Sequence, residues 1–346
     1  MLYAEAPQTQ MRSDRAIALW LLACCALVFA VVVVGGVTRL TRSGLSIVEW
    51  QPIVGVLPPL DDTAWQEAFR KYQQTPEFSV VNPNMNLAGF KSIFWWEYFH
   101  RLLGRLIGAA FLLPFLWFAL RRTIAHSLTW KLAGVFALGA LQGAMGWYMV
   151  QSGLVDDPRV SQYRLTAHLG IAFLIFAAVL WIALDLIFPR GEALVPNRAL
   201  RRFAAALAAL IFVMALSGGL VAGIRAGLGF NTFPLMNGYV VPPGMFALEP
   251  WYLNFFSNPG TVQFDHRLIA WLLAFLAPGF WLRTRRQGAP PRARLAADLL
   301  LATLALQITL GIATLLLAVP LSLAAAHQAG ALLVFGAALF AAQSLR

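Results

Sequence analysis

Apolar runs of about 20 residues recur along this chain, and a helix of that length crosses roughly 30 Å of hydrocarbon. The sequence predicts eight such spans, at residues 16–38, 99–120, 131–150, 165–188, 203–224, 263–282, 295–319 and 321–343. Of the 346 residues, 60% are hydrophobic and 12% are charged, whereas about a quarter of the residues in soluble domains are charged. We therefore expect an all-α polytopic membrane protein.

The net charge of +11 is distributed unevenly across these spans. With the N-terminus inside, the inner segments hold fifteen of the 26 basic residues but only five acidic ones. This excess follows the positive-inside rule and predicts that both termini are cytoplasmic. The same distribution argues against nucleic-acid binding. Cys24 and Cys25 are neighbours within one span and predict neither a disulfide nor a thiolate metal site. A bacterial cytoplasmic (inner) membrane is the expected location.

Landmarks of the first half of the chain recur in the same order in the second half. A Gly-Gly pair followed by Arg and Gly-Leu lies at 35–45 and again at 218–228, and a His-Arg pair lies at 100–101 and again at 266–267. A Leu-Gln pair with Gly four residues after the Gln lies at 141–146 and at 306–311, and a further His lies at 168 and at 327. We expect two tandem four-helix bundles, residues 1–190 and 191–346, related as a parallel internal repeat. A four-helix bundle can build a cofactor site from inward-facing side chains.

Four histidines, His100, His168, His266 and His327, open the even-numbered spans at the outer surface. Ionisable groups at such positions usually serve a function, so we expect them to be metal ligands. Two histidines per half provide too few ligands for a zinc site, whereas two facing imidazoles suit the iron of a haem. Copper remains an alternative. Small residues that would admit a flat ring, or equally allow close helix packing, are Gly104, Gly108, Gly143, Gly146, Gly170, Gly311 and Gly330.

Arginines at the same outer level are candidates for pairing with haem propionates. Arg101 and Arg267 directly follow two of the histidines, and Arg39, Arg42 and Arg225 lie near the same surface. A guanidinium binds a carboxylate through two parallel hydrogen bonds. Contact with lipid headgroups is the alternative for these residues.

One position breaks the symmetry of the halves. Glu97 precedes His100 by three residues, whereas Gln263 stands at the same distance from His266. A carboxylate beside a porphyrin can act as a base or stabilise developing positive charge, and an amide does neither well. We therefore expect chemistry in the N-terminal half. The alternative for Glu97 is a salt bridge to Arg101, Arg105 or Lys91.

The long outer connection, residues 39–98, contains several aromatic residues. Its stretch Thr63 to Gln74 predicts an amphipathic helix at the membrane surface. An interfacial aromatic belt is one interpretation of the loop, and a lid over an outward-facing pocket is the other.

The segments 35–46, 49–52 and 90–101 resemble the haem A synthase family of the cytochrome oxidase pathway. The likeness covers nearly the whole chain and implies oxidation of the C8 methyl of haem O to a formyl group by two successive hydroxylations, with oxygen supplied by water. It implies a resident haem b on His266 and His327, haem O on His100 and His168, and an essential role for Glu97. The cysteine pair of some members is absent from the outer loops, so no redox role transfers.

Implied partners are the lipid bilayer, a haem O synthase and cytochrome oxidase assembly factors, and a homo-oligomer remains open. Two rival functions also remain: a non-catalytic di-haem b cytochrome, and a haem carrier.

Overall fold

The computed structural model describes residues 8–50, 54–154, 158, 160–189 and 197–346. The predicted boundary between the two halves, at residues 190 and 191, lies outside the described residues. Within them, eleven α-helices follow one another: α1 (Gln8–Leu40), α2 (Asp62–Gln73), α3 (Pro76–Val81), α4 (Leu87–Leu120), α5 (His126–Gly153), α6 (Gln162–Ile187), α7 (Arg198–Gly223), α8 (Asn254–Ser257), α9 (Pro259–Arg286), α10 (Pro291–Leu316) and α11 (Leu321–Ser344).

Seven of the described helices, namely α1, α4, α5, α6, α7, α10 and α11, are long and apolar enough to cross a membrane. This confirms an all-helical, multi-pass membrane protein. Helix α9, which contains the predicted sixth span, is 28 residues long. Its apolar stretch is short because Asp265, His266 and Arg267 lie towards one end and Arg283, Arg285 and Arg286 at the other. The predicted sixth span, and with it the total of eight, therefore stays a prediction.

The contacts among the long helices fall into two matching groups. Helix α1 packs against α4 and α6, and α5 packs against α4 and α6. In the second group, α7 packs against α9 and α11, and α10 packs against α9 and α11. The groups meet where α6 contacts α7 and where α1 contacts α11. Large apolar side chains fill this junction, including the tilted ring pair Phe173 and Phe335 with centroids 5.4 Å apart.

Helices α1 and α7 end in the same way. Arg42 follows α1 and Arg225 follows α7, and both have a φ of 55°. Each donates its backbone N–H to the carbonyl three residues earlier, of Arg39 or Ala222, at 3.3 Å. A residue in the left-handed region turns the chain sharply at a helix end. The two connecting segments are therefore directed back over the outer ends of the bundle.

The amphipathic helix predicted in the long outer connection is present as α2, and its position at the membrane surface stays a prediction. The side chain of Asp61 caps its N-terminus by accepting from the backbone N–H of Ala64 at 2.8 Å. Trp65, Phe69 and Tyr72 form its apolar face and pack on aromatic side chains of α4 such as Phe90. Burial of each such ring contributes about 1.5–3 kcal/mol. This aromatic cluster fixes the connection to the start of α4.

Candidate functional site

A cavity of about 1890 Å³ lies between the long helices and is continuous across the two helix groups. All four of the histidines predicted as ligands line it: His100, His168, His266 and His327. We call the end with His100 and His168 the N-terminal chamber, and the end with His266 and His327 the C-terminal chamber. Both predicted pairs of histidines therefore line the same cavity, one pair in each chamber.

Each of the four histidines rests on a glycine of a neighbouring helix. A Cβ atom on Gly35 would lie 2.6 Å from Cε1 of His100, and one on Gly218 would lie 3.3 Å from Cε1 of His266. The other two pairs are Gly146 with His168, at 3.0 Å, and Gly311 with His327, at 2.8 Å. Real Cβ atoms essentially never come closer than 3.0 Å. Glycine is therefore needed most strictly at residues 35 and 311.

The two imidazoles of the C-terminal chamber have the separation that a shared iron requires. The ring centroids of His266 and His327 are 6.5 Å apart, and their planes are inclined by 76°. Two imidazoles on opposite sides of one metal ion place their centroids roughly 6 Å apart, because each metal–nitrogen bond is about 2 Å and each nitrogen is about 1 Å from its centroid. Ser217 lies 2.8 Å from Nδ1 of His266 and fixes that ring.

His266 is the exception among the four histidines in the hydrogen bonding of Nδ1. Nδ1 of His100, of His168 and of His327 is buried and has no hydrogen-bond partner among the described residues. The amide nitrogen of Gln142 lies 3.4 Å from Nε2 of His168. In the C-terminal chamber, Gln307 instead donates to the backbone carbonyl of His327 at 2.9 Å. The imidazoles of His168 and His327 are each hydrogen-bonded to the backbone of their glutamine, Gln142 or Gln307, so at these two histidines the chambers differ only in what the glutamine side chain contacts.

The glycines predicted to make room for a flat ring separate into distinct groups. Gly104, Gly108 and Gly143 line the cavity, and a Cβ atom on any of them would meet nothing within 4 Å. A Cβ atom on Gly170 or Gly330 would instead meet a neighbouring side chain, Leu216 or Gln307 respectively. The first group makes space in the N-terminal chamber, and the second allows close helix packing.

Glu97 is 2% exposed and accepts four hydrogen bonds. Oε1 accepts from Nε of Arg101 at 3.0 Å and from Nη2 at 2.6 Å. Oε2 accepts from the hydroxyl of Ser46 at 2.7 Å and from the backbone N–H of Ile47 at 2.8 Å. The salt bridge to Arg101, the alternative raised by the sequence, is therefore present. Lys91 takes no part, because its Nζ lies over the ring of Trp65.

The matching position in the second helix group, Gln263, is also buried, at 3% exposed. Its amide nitrogen donates to the carbonyl of Phe230 at 3.2 Å, and its Oε1 is buried without a partner among the described residues. Glu97 links α4 to the loop that follows α1, and Gln263 links α9 to the loop that follows α7. Of these two matching residues, only Glu97 has a carboxyl group.

Two of the predicted propionate partners hold the outer loops. Arg101 donates to the carbonyls of Glu49 at 3.0 Å and Ile47 at 2.7 Å, in addition to its pair with Glu97. Arg267 donates to the carbonyls of Phe230 at 2.8 Å and Thr232 at 3.0 Å. Both arginines also line the cavity.

The other three arginines meet where the two helix groups join. Arg39 donates through Nη2 to the carbonyls of Ala222 and Gly223, at 3.2 and 3.0 Å, and its Nε is buried without a partner among the described residues. Arg42 and Arg225 line the same cavity. Three positive charges at one mouth make this the part of the site best suited to carboxylates.

Sequence reasoning missed several residues of this site. The contacts of Gly35 and Gly218 with histidines were unexpected, although the repeated Gly-Gly pair had marked both positions. Ser46 and Ser217 gave no sequence signal, since isolated serines are common. A second buried carboxylic acid, Glu77, also lines the cavity and was not singled out.

These features fit a pair of porphyrins. One cavity contains two pairs of imidazoles, glycine-lined space and a cationic mouth, and the ring-to-ring distance of the C-terminal pair suits one iron. The donor set does not resemble a zinc or copper site, because thiolates and further carboxylates do not join the histidines within the described ranges.

Comparison with known proteins gives an independent result. Residues 18–339 match the model of a family described as cytochrome oxidase assembly protein. The chain is 64% identical over 336 residues to a haem A synthase of Nitrosospira multiformis, covering 96% of this chain and 94% of that protein. It is 60% identical over 332 residues to one of Nitrosomonas eutropha, covering 95% and 93%. A relative with the same name from Parvibaculum lavamentivorans is 50% identical over 328 residues, covering 95% and 94%. The chain therefore belongs to the cytochrome oxidase assembly protein family.

Proposed function

We propose that this chain is a haem A synthase, an oxidoreductase that converts the C8 methyl of haem O to a formyl group by two successive hydroxylations. The observation that carries the proposal is the asymmetry of the two chambers. Each presents a pair of glycine-backed histidines to one cavity, but a buried carboxylate accompanies only the first pair. The names of the relatives support the same assignment.

In this proposal the chain consists of two tandem four-helix halves, residues 1–190 and 191–346, with eight spans. The matching contacts of α1, α4, α5 and α6 with those of α7, α9, α10 and α11 support it. Both termini are cytoplasmic, in a bacterial inner membrane, and both chambers then open towards the outer side. Haem O synthase and oxidase assembly factors are the expected partners.

The C-terminal chamber holds haem b between His266 and His327, and Ser217 orients the first of these rings. When bound, this haem supplies one-electron transfer. Haem O lies in the N-terminal chamber with His100 and His168 as iron ligands. Arg39, Arg42 and Arg225 pair with propionates, and Arg101 and Arg267 fix the loops that enclose them.

Glu97 contributes through its charge in this proposal. Its two oxygens are fully engaged by four donors, so the carboxylate is held as an anion in a fixed position. A fixed negative charge in a water-poor pocket stabilises positive charge that develops on the substrate carbon. The loops held by Arg101 and Arg267 restrict the entry of water into the cavity at its outer end.

A di-haem b cytochrome is the second candidate, and the salt bridge between Glu97 and Arg101 is the observation that favours it. In that case Glu97 only joins the loop to α4. Extraction of pigment from the purified protein separates the two functions. Haem O or haem A together with haem b supports the synthase, whereas haem b as the sole pigment supports the cytochrome.

Conversion of added haem O by the reconstituted protein tests the role of Glu97. Glu97→Gln is expected to retain both haems and to lower haem A formation by about 100-fold or more, the effect of removing one electrostatic stabiliser. The matched control is Glu67→Gln, on the exposed side of α2, which should leave the rate unchanged. Undiminished haem A formation by Glu97→Gln would refute this role.

A further inference from the structure

Glu77 is a buried carboxylic acid that the proposed function leaves unused. It lies on α3, in the connection between α1 and α4, and is 4% exposed. Its side chain lines the cavity, and Oε2 is buried without a hydrogen-bond partner within the described part of the chain. An ionisable group that is buried and unpaired is costly, and such groups concentrate at functional sites.

Three titratable or charged groups, each from a different element, interact electrostatically with this carboxyl group. They are Glu97 on α4, Arg42 after α1 and Tyr72 on α2. Burial and, to a smaller extent, the charge of Glu97 raise the pKa of Glu77, Arg42 lowers it, and the net value is about 8. The hydroxyl of Tyr72 accepts a hydrogen bond from Asn82 at 2.8 Å. Glu77 therefore holds a proton at neutral pH and can lose it in mildly alkaline solution.

The two carboxyl groups at the outer end of the cavity have opposite capacities. An ionised carboxylate has about four acceptor positions, and four donors occupy those of Glu97. Glu97 is therefore a poor proton acceptor. Glu77 keeps an unpaired oxygen at the cavity wall. A group that exchanges protons needs such an open position and a pKa near the working pH.

We propose that Glu77 is the proton-exchanging residue of the N-terminal chamber. This inference rests on the proposed function, because hydroxylation of a methyl group with oxygen from water releases two protons and also two electrons, which pass to an electron acceptor. The resting acid first gives its proton to water on the outer side, breaking the Oε2–H bond. The carboxylate then takes a proton from a water molecule or hydroxyl group in the chamber and forms that bond again. No electrons move in either transfer.

The first test compares pH–rate profiles for conversion of haem O by the full-length reconstituted protein. The wild type should show an inflection near pH 8. Glu77→Gln should lower kcat by about 100-fold, within the range for a lost acid–base group, leave KM unchanged and remove the inflection. Glu77→Asp should retain an inflection, and Glu67→Gln should match the wild type. A kcat and profile for Glu77→Gln equal to those of the wild type would overturn the inference.

The second test reads protonation directly and does not need turnover. Infrared difference spectra of the wild type should contain the C=O band of a protonated carboxyl group that disappears with a midpoint near pH 8, and Glu77→Gln should lack this band. A wild-type spectrum without such a titration overturns the inference even if the variant fails to fold. Failure of the proposed function is distinct, because the wild type would then form no haem A.

Discussion

The guanidinium of Arg101 donates two hydrogen bonds to one oxygen of Glu97, from Nε at 3.0 Å and from Nη2 at 2.6 Å. The side chain of Glu97 is buried, at 3% exposed, and that of Arg101 is largely buried, at 12% exposed. Loss of one partner of a buried ion pair costs about 3–5 kcal/mol. Arg101→Gln should therefore lower the free energy of unfolding by about that amount, measured by denaturant titration in detergent.

The control for this variant is Arg70→Gln. Arg70 pairs with Glu67 on the exposed face of α2, and exposed pairs contribute about 0–1 kcal/mol. Equal effects of the two substitutions would show that the burial of the Glu97 pair has no energetic consequence.

Gly35→Ala should displace the imidazole of His100, because its Cβ would lie 2.6 Å from Cε1. Overpacking of this kind costs about 1–3 kcal/mol, which corresponds to roughly five- to 150-fold weaker retention of haem O. Extracted haem O should fall while haem b remains. Gly134→Ala is the control, since Gly134 does not line the cavity and a Cβ there meets nothing within 4 Å. Unchanged haem O in Gly35→Ala would contradict the assignment of His100 as its ligand.

Ser217→Ala should weaken binding of haem b and leave binding of haem O intact. The hydroxyl of Ser217 lies 2.8 Å from Nδ1 of His266, and partners of metal-bound histidines affect affinity by about 10–100-fold. Loss of haem b on dilution, followed by its absorbance, measures the effect. Ser13→Ala is the control, because Ser13 contacts Thr123 and lies far from the histidines. Loss of haem O alone would reverse the assignment of the two chambers.

Stability should fall as pH rises from about 4.5 to about 8, because of Glu77. Burial raises its pKa from 4.5 to about 8 in the folded protein, so the folded state binds this proton more tightly than the unfolded state. Between the two pKa values the folded chain binds more protons, and stability decreases with increasing pH. Glu77→Gln should flatten this part of the Tm–pH curve. Parallel curves for wild type and variant would place the pKa of Glu77 near its ordinary value.

Local patterns predicted much of the fold. Seven apolar runs predicted helices that are present, and the amphipathic stretch at 63–74 predicted α2. The four histidines meet in one cavity because each lies near the start of its predicted apolar span, which the repeat had indicated. The salt bridge of Glu97 with Arg101 followed from their spacing of four residues on a helix.

The remaining features depend on contacts between distant parts of the chain. Ser46 reaches Glu97 only because the turn at Arg42 directs the loop back over α4. Glu77 reaches the cavity because aromatic packing holds the outer connection against α4, and neither effect has a local signature. The role of Gly35 is also non-local, since its partner histidine lies 65 residues further on.

The continuity of the cavity across both helix groups has a consequence for assembly under the proposed function. A porphyrin seated in the C-terminal chamber becomes part of the wall that the incoming substrate meets. Newly made protein without haem b therefore offers haem O a larger and poorly shaped space. Loading is then sequential, with the permanent prosthetic group first, and a shortage of haem b would limit maturation before the first catalytic cycle.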